Sequence, residues 1–370
     1  MTAGVGSELW QLFGHSALWI HDNRADRDTV FNWGAFNLNA PHFVLHFVTG
    51  LLLYQMAGDS IQDVVLESQR SNRTVTAQEL NLSDAQKESI LRAIRLNARP
   101  ENVIYRYDYF IDNCATKPRD ILDRALGGQL HIGADSLTGR TYRSHTLRLM
   151  QADRLLALGV NLVLGERSDR PITTWQETFL PQRLHDWVAT RQVRDESGNL
   201  HPLVKSERVL VRTTRPPEPV LPPSFAWLWI VGGMVAGLFA WLGSAARSIR
   251  GARVGAAIVF AGWATVSGLL GTILTLLWTA TDHRFAYANE NILLFNPLWL
   301  VLAVTLPITL LRGRAERLTN GVLVTVFALG GLALVLHLSG VLHQANLPII
   351  GLGLLPTAGL VFATRQVRKV

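Results

Sequence analysis

The stretch Tyr107-Asp108-Tyr109-Phe110-Ile111-Asp112-Asn113-Cys114-Ala115-Thr116-Lys117-Pro118-Arg119-Asp120 decides how the first half of this chain is read. Cys114 is the only cysteine among 370 residues, which excludes a disulfide scaffold. A lone cysteine is most often a buried small hydrophobe, but three features set this one apart. It follows the polar pair Asp112-Asn113 instead of sitting on an apolar face. A helical pattern runs from it through Leu126 to a Gly127-Gly128 C-cap, and Pro118 is tolerated only in a first turn, so the helix begins near Cys114. Backbone N–H groups and the dipole at such an end favour a thiolate and lower a thiol pKa from about 8.5 into the range of roughly 3.5–7.5. Finally, the thiol is unpaired in a segment that the charge pattern places outside the cytoplasm. Cys114 therefore reads as a nucleophile.

A nucleophilic thiol needs a base. Residues 1–224 offer His15, His21, His42, His46, His131, His145, His185 and His201. His15 opens a strand after Phe13-Gly14, where glycine permits close approach of another backbone or a substrate. His21 lies six residues further along the same strand face, roughly 20 Å away, so the two cannot serve one thiol. His42 and His46 have zinc-ligand spacing on a helix, but no third ligand stands near and no metal or cofactor is called for. His15 is the favoured base. Asn32, on the partner strand, reads either as a group orienting its imidazole or as a strand-end turn residue.

The composition divides the chain. Apolar residues make up 48% and charged ones 17%, and the net charge is +7. Residues 1–224 hold 25 basic and 25 acidic residues; residues 225–370 hold 10 basic and 3 acidic ones. The positive excess thus lies among hydrophobic segments, which argues against a nucleic-acid partner. Apolar stretches at 225–243, 255–280, 292–311, 321–338 and 347–363 each suit a membrane span, which excludes a purely soluble protein. Arg247, Arg250 and Arg253 follow the first span, Arg312, Arg314 and Arg317 the third, and Arg365, Arg368 and Lys369 the fifth. The alternate loops hold only Arg284. The positive-inside rule places the arginine loops in the cytoplasm and residues 1–224 on the other side of the membrane. Residues 1–12 show neither a basic n-region nor an apolar h-region, so a trimmed signal sequence or an upstream start is expected. Trp227, Trp229, Trp241, Trp278 and Trp299 read as interfacial anchors.

Within the exported half, residues 15–21 and 29–33 read as a hairpin. Residues 41–54 read as helical, 60–67 as a strand, 84–97 as a helix capped by Ser83, and 103–110 as a strand bearing Tyr105, Tyr107 and Tyr109 on one face. Residues 144–164 and 181–190 look helical and 206–213 strand-like. The domains expected are 1–214, a Pro-rich linker at 215–224, and a membrane domain at 225–370.

Several motifs together resemble the Lnb family of bacterial lipoprotein N-acyltransferases. They are Gly6-Ser7-Glu8-Leu9-Trp10, Phe13-Gly14-His15-Ser16-Ala17-Leu18, Phe31-Asn32-Trp33-Gly34-Ala35-Phe36 and the Cys114 stretch, with Trp175, Phe179-Leu180-Pro181, Asp282-His283, Asn289-Glu290-Asn291 and Asn296-Pro297. The order His-then-Cys also resembles circularly permuted papain-like acyltransferases. The resemblance implies an α+β, circularly permuted papain-like exported domain followed by an all-α five-helix transmembrane domain. It implies a phospholipid acyl donor, a Cys114 thioester and a diacylglyceryl-modified lipoprotein as acceptor. Asn113, Arg119, His283, Asn289 and Asn291 are candidate substrate contacts. Arg119 also has a plainer reading, pairing with Asp120 or Asp123 on its own helix, and His283, Asn289 and Asn291 can simply cap two helices. Two rivals stand beside this: a Cys-His hydrolase (a phospholipase or a cell-wall amidase or peptidase), and a membrane scaffold without catalysis.

Overall fold

The computed structural model describes residues 1–367, so Arg368 and Lys369 of the charge argument lie outside the described residues. The chain divides into two units, Met1–Met150 with Pro171–Pro222, and Gln151–Arg170 with Pro223–Val370. The segment Gln151–Arg170, expected in the exported domain, thus groups with the apolar helices.

The first unit is built on an antiparallel sheet. Its strands are β1 (Thr2–Ala3), β2 (His15–Asp22), β3 (Arg27–Ala35), β4 (Leu53–Asp59), β5 (Val75–Leu80), β6 (Ile104–Arg106) and, after the short strands β7 (Leu137–Thr141), β8 (Pro171–Thr173), β9 (Gln192–Arg194) and β10 (Leu200–Pro202), β11 (Val204–Val211). The order across the seven-stranded sheet is β11-β5-β1-β2-β3-β4-β6. The hairpin β2–β3 forms as the alternation predicts. Residues 60–67 do not form the expected strand: Ser60 caps a helix, α2 (Ile61–Arg70), by accepting the Asp63 N–H. Ile61, Val64 and Val65 recur at helical spacing and cover Ala17 and Val30 on one sheet face. The helical run expected at 41–54 is cut by Gly50 at φ +76°, which ends α1 (Phe43–Thr49) and frees the chain to enter β4. The expected strand at 103–110 stops at Arg106, because Asp108 folds the chain into a turn by accepting the N–H groups of Phe110 and Ile111.

The opposite face is covered by α3 (Asp84–Asn97), which starts at the predicted Ser83 capping box, by α4 (Thr116–Ala125), and by α8 (Pro181–Ala189), which follows α5 (Tyr142–Leu149), α6 (Arg154–Val163) and α7 (Thr174–Glu177). Leu18, Trp33, Met56, Ile90, Ile94, Ala115, Ile121 and Leu184 form the core between these helices and the sheet. The parity of β2 and β3 therefore assigns Leu18 and Trp33 to the α4 side, and Ala17, Val30 and Asn32 to the α2 side.

The second unit holds five helices long and apolar enough to cross a membrane, among the described residues. They are α9 (Trp227–Ala245), α10 (Arg250–Thr279), the span Glu290–Arg312 that ends in α11 (Leu298–Arg312), α12 (Glu316–Leu338) and α13 (Leu347–Val367). The helices α9 and α13 pack through small residues: a Cβ added to Gly232, Gly243 or Gly359 would meet backbone or Cβ atoms of the other helix within 2.6 Å. Trp299 departs from its expected role as an anchor. It is buried, with its indole N–H donated to the Leu294 carbonyl 2.9 Å away.

Candidate active site

His15, Asn32 and Asp59 lie on three adjacent strands, and alternation turns all three toward the α2 face. Asn32 is diagonal to His15, because its cross-strand partner is Ala17. The His15 Nε2 is 2.8 Å from the Asn32 Oδ1. The Asn32 Nδ2 donates in turn to the Asp59 Oδ2 at 2.7 Å and to the Val30 carbonyl at 3.2 Å. These two bonds settle which way the amide points, so its oxygen faces the imidazole and selects the Nε2–H tautomer. The other ring nitrogen, Nδ1, is left for the Cys114 thiol, with which His15 also shares a hydrogen bond.

Cys114 reaches His15 because of two local features. The first is Asn113, whose Oδ1 accepts the N–H groups of Ala115 at 2.9 Å and Thr116 at 3.0 Å and so caps α4 just before it. Its Nδ2 donates to the carbonyls of Tyr109 and Phe179. Asn113 thus holds the helix start, with every polar atom of its amide engaged in the fold. The second is Gly34, at an irregularity of the β3–β4 pairing, with φ +96°. A Cβ built there would lie 3.1 Å from the Tyr107 ring and 3.8 Å from the Cys114 Cβ. Only glycine suits that backbone and leaves the space open.

The electrostatics favour an ion pair. Burial opposes the Cys114 thiolate and is the largest single influence on it. The charge and hydrogen bond of His15, with the N–H groups of Ser16 and of Cys114 itself, outweigh that and hold the thiol below its ordinary value. Burial likewise opposes the His15 imidazolium. The thiolate's charge and hydrogen bond and the bond to Asn32 outweigh burial and the repulsion of Arg73, and raise His15 above the usual histidine value. Such a pair supplies a thiolate nucleophile and an adjacent proton donor. The Ser16 and Cys114 N–H groups converge on the sulfur and help to hold its negative charge.

Two residues at this site were missed in the sequence. Asp59 escaped because residues 53–59 were not read as a strand. Arg73 sits beside the pair, nearly buried, with its Nε donating to the Gly4 carbonyl and its Nη2 unpartnered. No sequence spacing links it to His15. Of the candidate substrate contacts, Arg119 is buried and committed elsewhere. It pairs with Asp120 at 2.7 Å, donates to the Trp175 carbonyl at 3.0 Å and stacks 4.1 Å from the Trp175 ring. In the second unit, His283 precedes a short turn, Arg284–Ala286. Asn289 and Asn291 are buried there and donate to the Leu162 carbonyl at 2.8 and 3.0 Å, closing the C-terminal end of α6. His21 is engaged with Asp28, away from the thiol.

Two family models match the chain: the Lnb N-terminal periplasmic domain over residues 1–151 and the Lnb transmembrane domain over residues 222–361. No curated protein and no solved structure matches it. The first model spans β2, β3 and Cys114, the second nearly all of the five apolar helices, in the same order along one chain. The chain belongs to the Lnb family: a multi-pass inner-membrane protein of lipoprotein processing with its N-terminal domain in the periplasm.

Proposed function

We propose that this protein is a lipoprotein N-acyltransferase that works by ping-pong acyl transfer through Cys114. The Cys114 thiolate attacks the carbonyl of a glycerolipid ester, with a membrane phospholipid as donor. The C–S bond forms, and the carbonyl oxygen carries the negative charge toward the Ser16 and Cys114 N–H groups. As the C–O bond breaks, the His15 imidazolium gives its proton to the departing alkoxide, leaving a lysolipid and a thioester on Cys114. The α-amine of the diacylglyceryl-modified cysteine has a pKa of about 7.7–8.0, so a neutral fraction attacks the thioester. His15 takes the amine's proton, the C–N bond forms, the C–S bond of the thioester breaks, and the thiolate–imidazolium pair returns. Asn32, held by Asp59, keeps the imidazole in register throughout.

The observation that carries this reading is the hydrogen-bonded series Cys114–His15–Asn32–Asp59 in a lipoprotein-processing family. The test is mass spectrometry of a lipoprotein's N-terminal cysteine peptide, in a host depleted of its own N-acyltransferase. The host would express the chain behind a cleavable signal peptide as wild type or Cys114→Ser. A third acyl chain on the amine with wild type alone supports the proposal. An N-acylated cysteine carrying only two chains in all would place the donor ester on the lipoprotein itself. Lysophospholipid without N-acylation would replace the transferase with a hydrolase, and no change with either protein would overturn catalysis here.

A further inference from the structure

Residues 29–58 contain no Asp, Glu, Lys or Arg. This uncharged run includes α1, none of whose residues is buried. Val44 is 71% exposed, Leu45 57% and Val48 55%, so α1 carries an apolar face with no partner in its own unit. Beside it lies a groove of about 340 Å³, lined by Phe36, Phe43, Phe47, Leu51, Tyr54 and Ile104 among others. That volume lies in the range of small-molecule sites.

From the groove, a file of packed rings runs toward the thiol. Phe47 and Phe43 are 6.4 Å apart, Phe43 and Phe36 6.0 Å, Phe36 and Tyr54 5.1 Å, and Tyr54 and Tyr107 4.6 Å between centroids. A Cβ built on Gly34 would lie 3.1 Å from the Tyr107 ring and 3.8 Å from the Cys114 Cβ, so the last ring and the thiol side chain border one space. Resting on the acyl-transfer reading, we propose that this groove is the acyl-chain site of the enzyme, and that the exposed face of α1 dips into the bilayer interface to receive the chain. The occupant is the hydrocarbon chain of the donor glycerolipid. The lining is mostly aromatic and aliphatic, with Asn37, His46 and Gln55 as its polar members and no Asp, Glu, Lys or Arg, which suits methylene groups better than a charged peptide. One end opens beside an apolar helix on a membrane-held protein; at the other, Tyr54 packs on Tyr107, the ring that borders Cys114. Residues that would be a solubility liability on a free-standing domain thus have an occupant.

The test uses the full chain in vesicles of phosphatidylethanolamine and phosphatidylglycerol with short, medium and long acyl chains mixed. Intact-mass spectrometry reads the chain carried on Cys114. Ala40→Trp, which fills the groove, should shift the acyl-Cys114 distribution several-fold toward shorter chains, and Phe47→Ala should shift it toward longer ones. Leu200→Asp, exposed and apolar but on β10, is the control that should match wild type. A distribution unchanged in both groove variants overturns the proposal. A change in oligomeric state with no change in chain length also overturns it, by giving α1 to a second copy. A palmitoyl phospholipid bearing a diazirine on its chain separates this proposal from the reading beneath it. Cross-linking to peptides spanning residues 36–54 in Cys114→Ser, with no thioester on wild type, would keep the groove and sink the transferase. A thioester without such cross-links would do the reverse.

Discussion

At the scale of single residues, the chemistry rests on proton positions. Alkylation of Cys114 by iodoacetamide should rise with pH through an inflection below the ordinary thiol value, because the thiolate forms above the lowered pKa of the folded protein. In His15→Ala the inflection should move up past the ordinary value, since burial remains while the imidazolium that offsets it is gone. An unmoved inflection would separate the two residues. Asp59→Asn tests the other end of the series. Without a fixed acceptor for its Nδ2, the Asn32 amide is free to turn its NH2 toward His15. Losing a hydrogen bond to a charged group costs about 1.5–3 kcal/mol, or on the order of tenfold or more in the acylation rate. A lower rate accompanied by a displaced pH profile marks positioning; an equal profile would mark Asp59 as structural.

At the scale of elements, the strand–helix meeting at Gly34 is the tightest constraint. Gly34→Ala combines a left-handed backbone, which costs an L residue roughly 1–2 kcal/mol, with a contact only 3.1 Å from the Tyr107 ring. Both the thermal midpoint in detergent and the alkylation rate of Cys114 should fall. A second element-level constraint is buried charge. The Nε2 of His145 is 2.8 Å from Glu177, its Nδ1 accepts from the Arg148 Nε at 3.0 Å, and Arg148 holds Glu218 at 2.9 Å, fastening the linker. Burial lowers the His145 pKa, and Glu177 is lowered by its bonds to His145 and its neighbouring arginines although burial opposes it. Both folded values lie below the unfolded ones, so this stability is present at neutral pH and lost as the pH falls. Thermal midpoints across the acid range should fall less steeply in His145→Gln than in wild type, because the histidine's own titration and its hold on Glu177 are both removed. An equally steep fall would assign the acid sensitivity to other groups. The elements themselves were unevenly legible. The β2–β3 hairpin, α3 with its Ser83 cap and the start of α4 carry their own local signals. The α2 region was misread because Ile61, Val64 and Val65 satisfy both a strand-rich composition and a helical face, and only the sheet they cover decides between these.

At the scale of the whole molecule, topology and the apolar seam are the testable features. In a Cys114→Ser background, a membrane-impermeant maleimide applied from the periplasm should label Ser339→Cys and spare Ser248→Cys, which is flanked by Arg247 and Arg250. The reverse pattern would invert the protein. Within the second unit, Gly359→Leu should destabilise the α9–α13 pair by about 1–3 kcal/mol, because a Cβ there already approaches the Ala236 backbone to 2.6 Å. Resistance to unfolding in sodium dodecyl sulfate reads this directly.

What the sequence by itself determined was whatever depends on local or one-dimensional physics. Five spans follow from the length of apolar runs, their orientation from arginine placement, and the candidacy of Cys114 from its place at a helix start. His15 and Asn32 were reachable because both sit in one hairpin with readable alternation. Tertiary structure alone decided the rest, since strand order and face parity set distances between residues far apart in the chain. It carried Asp59 to Asn32, brought Arg73 beside the thiol, and spent Asn113, Arg119, Asn289 and Asn291 on carbonyls and carboxylates within the fold. A polar side chain reads the same in sequence whether it is free or committed; only the partners that folding brings to it make the difference.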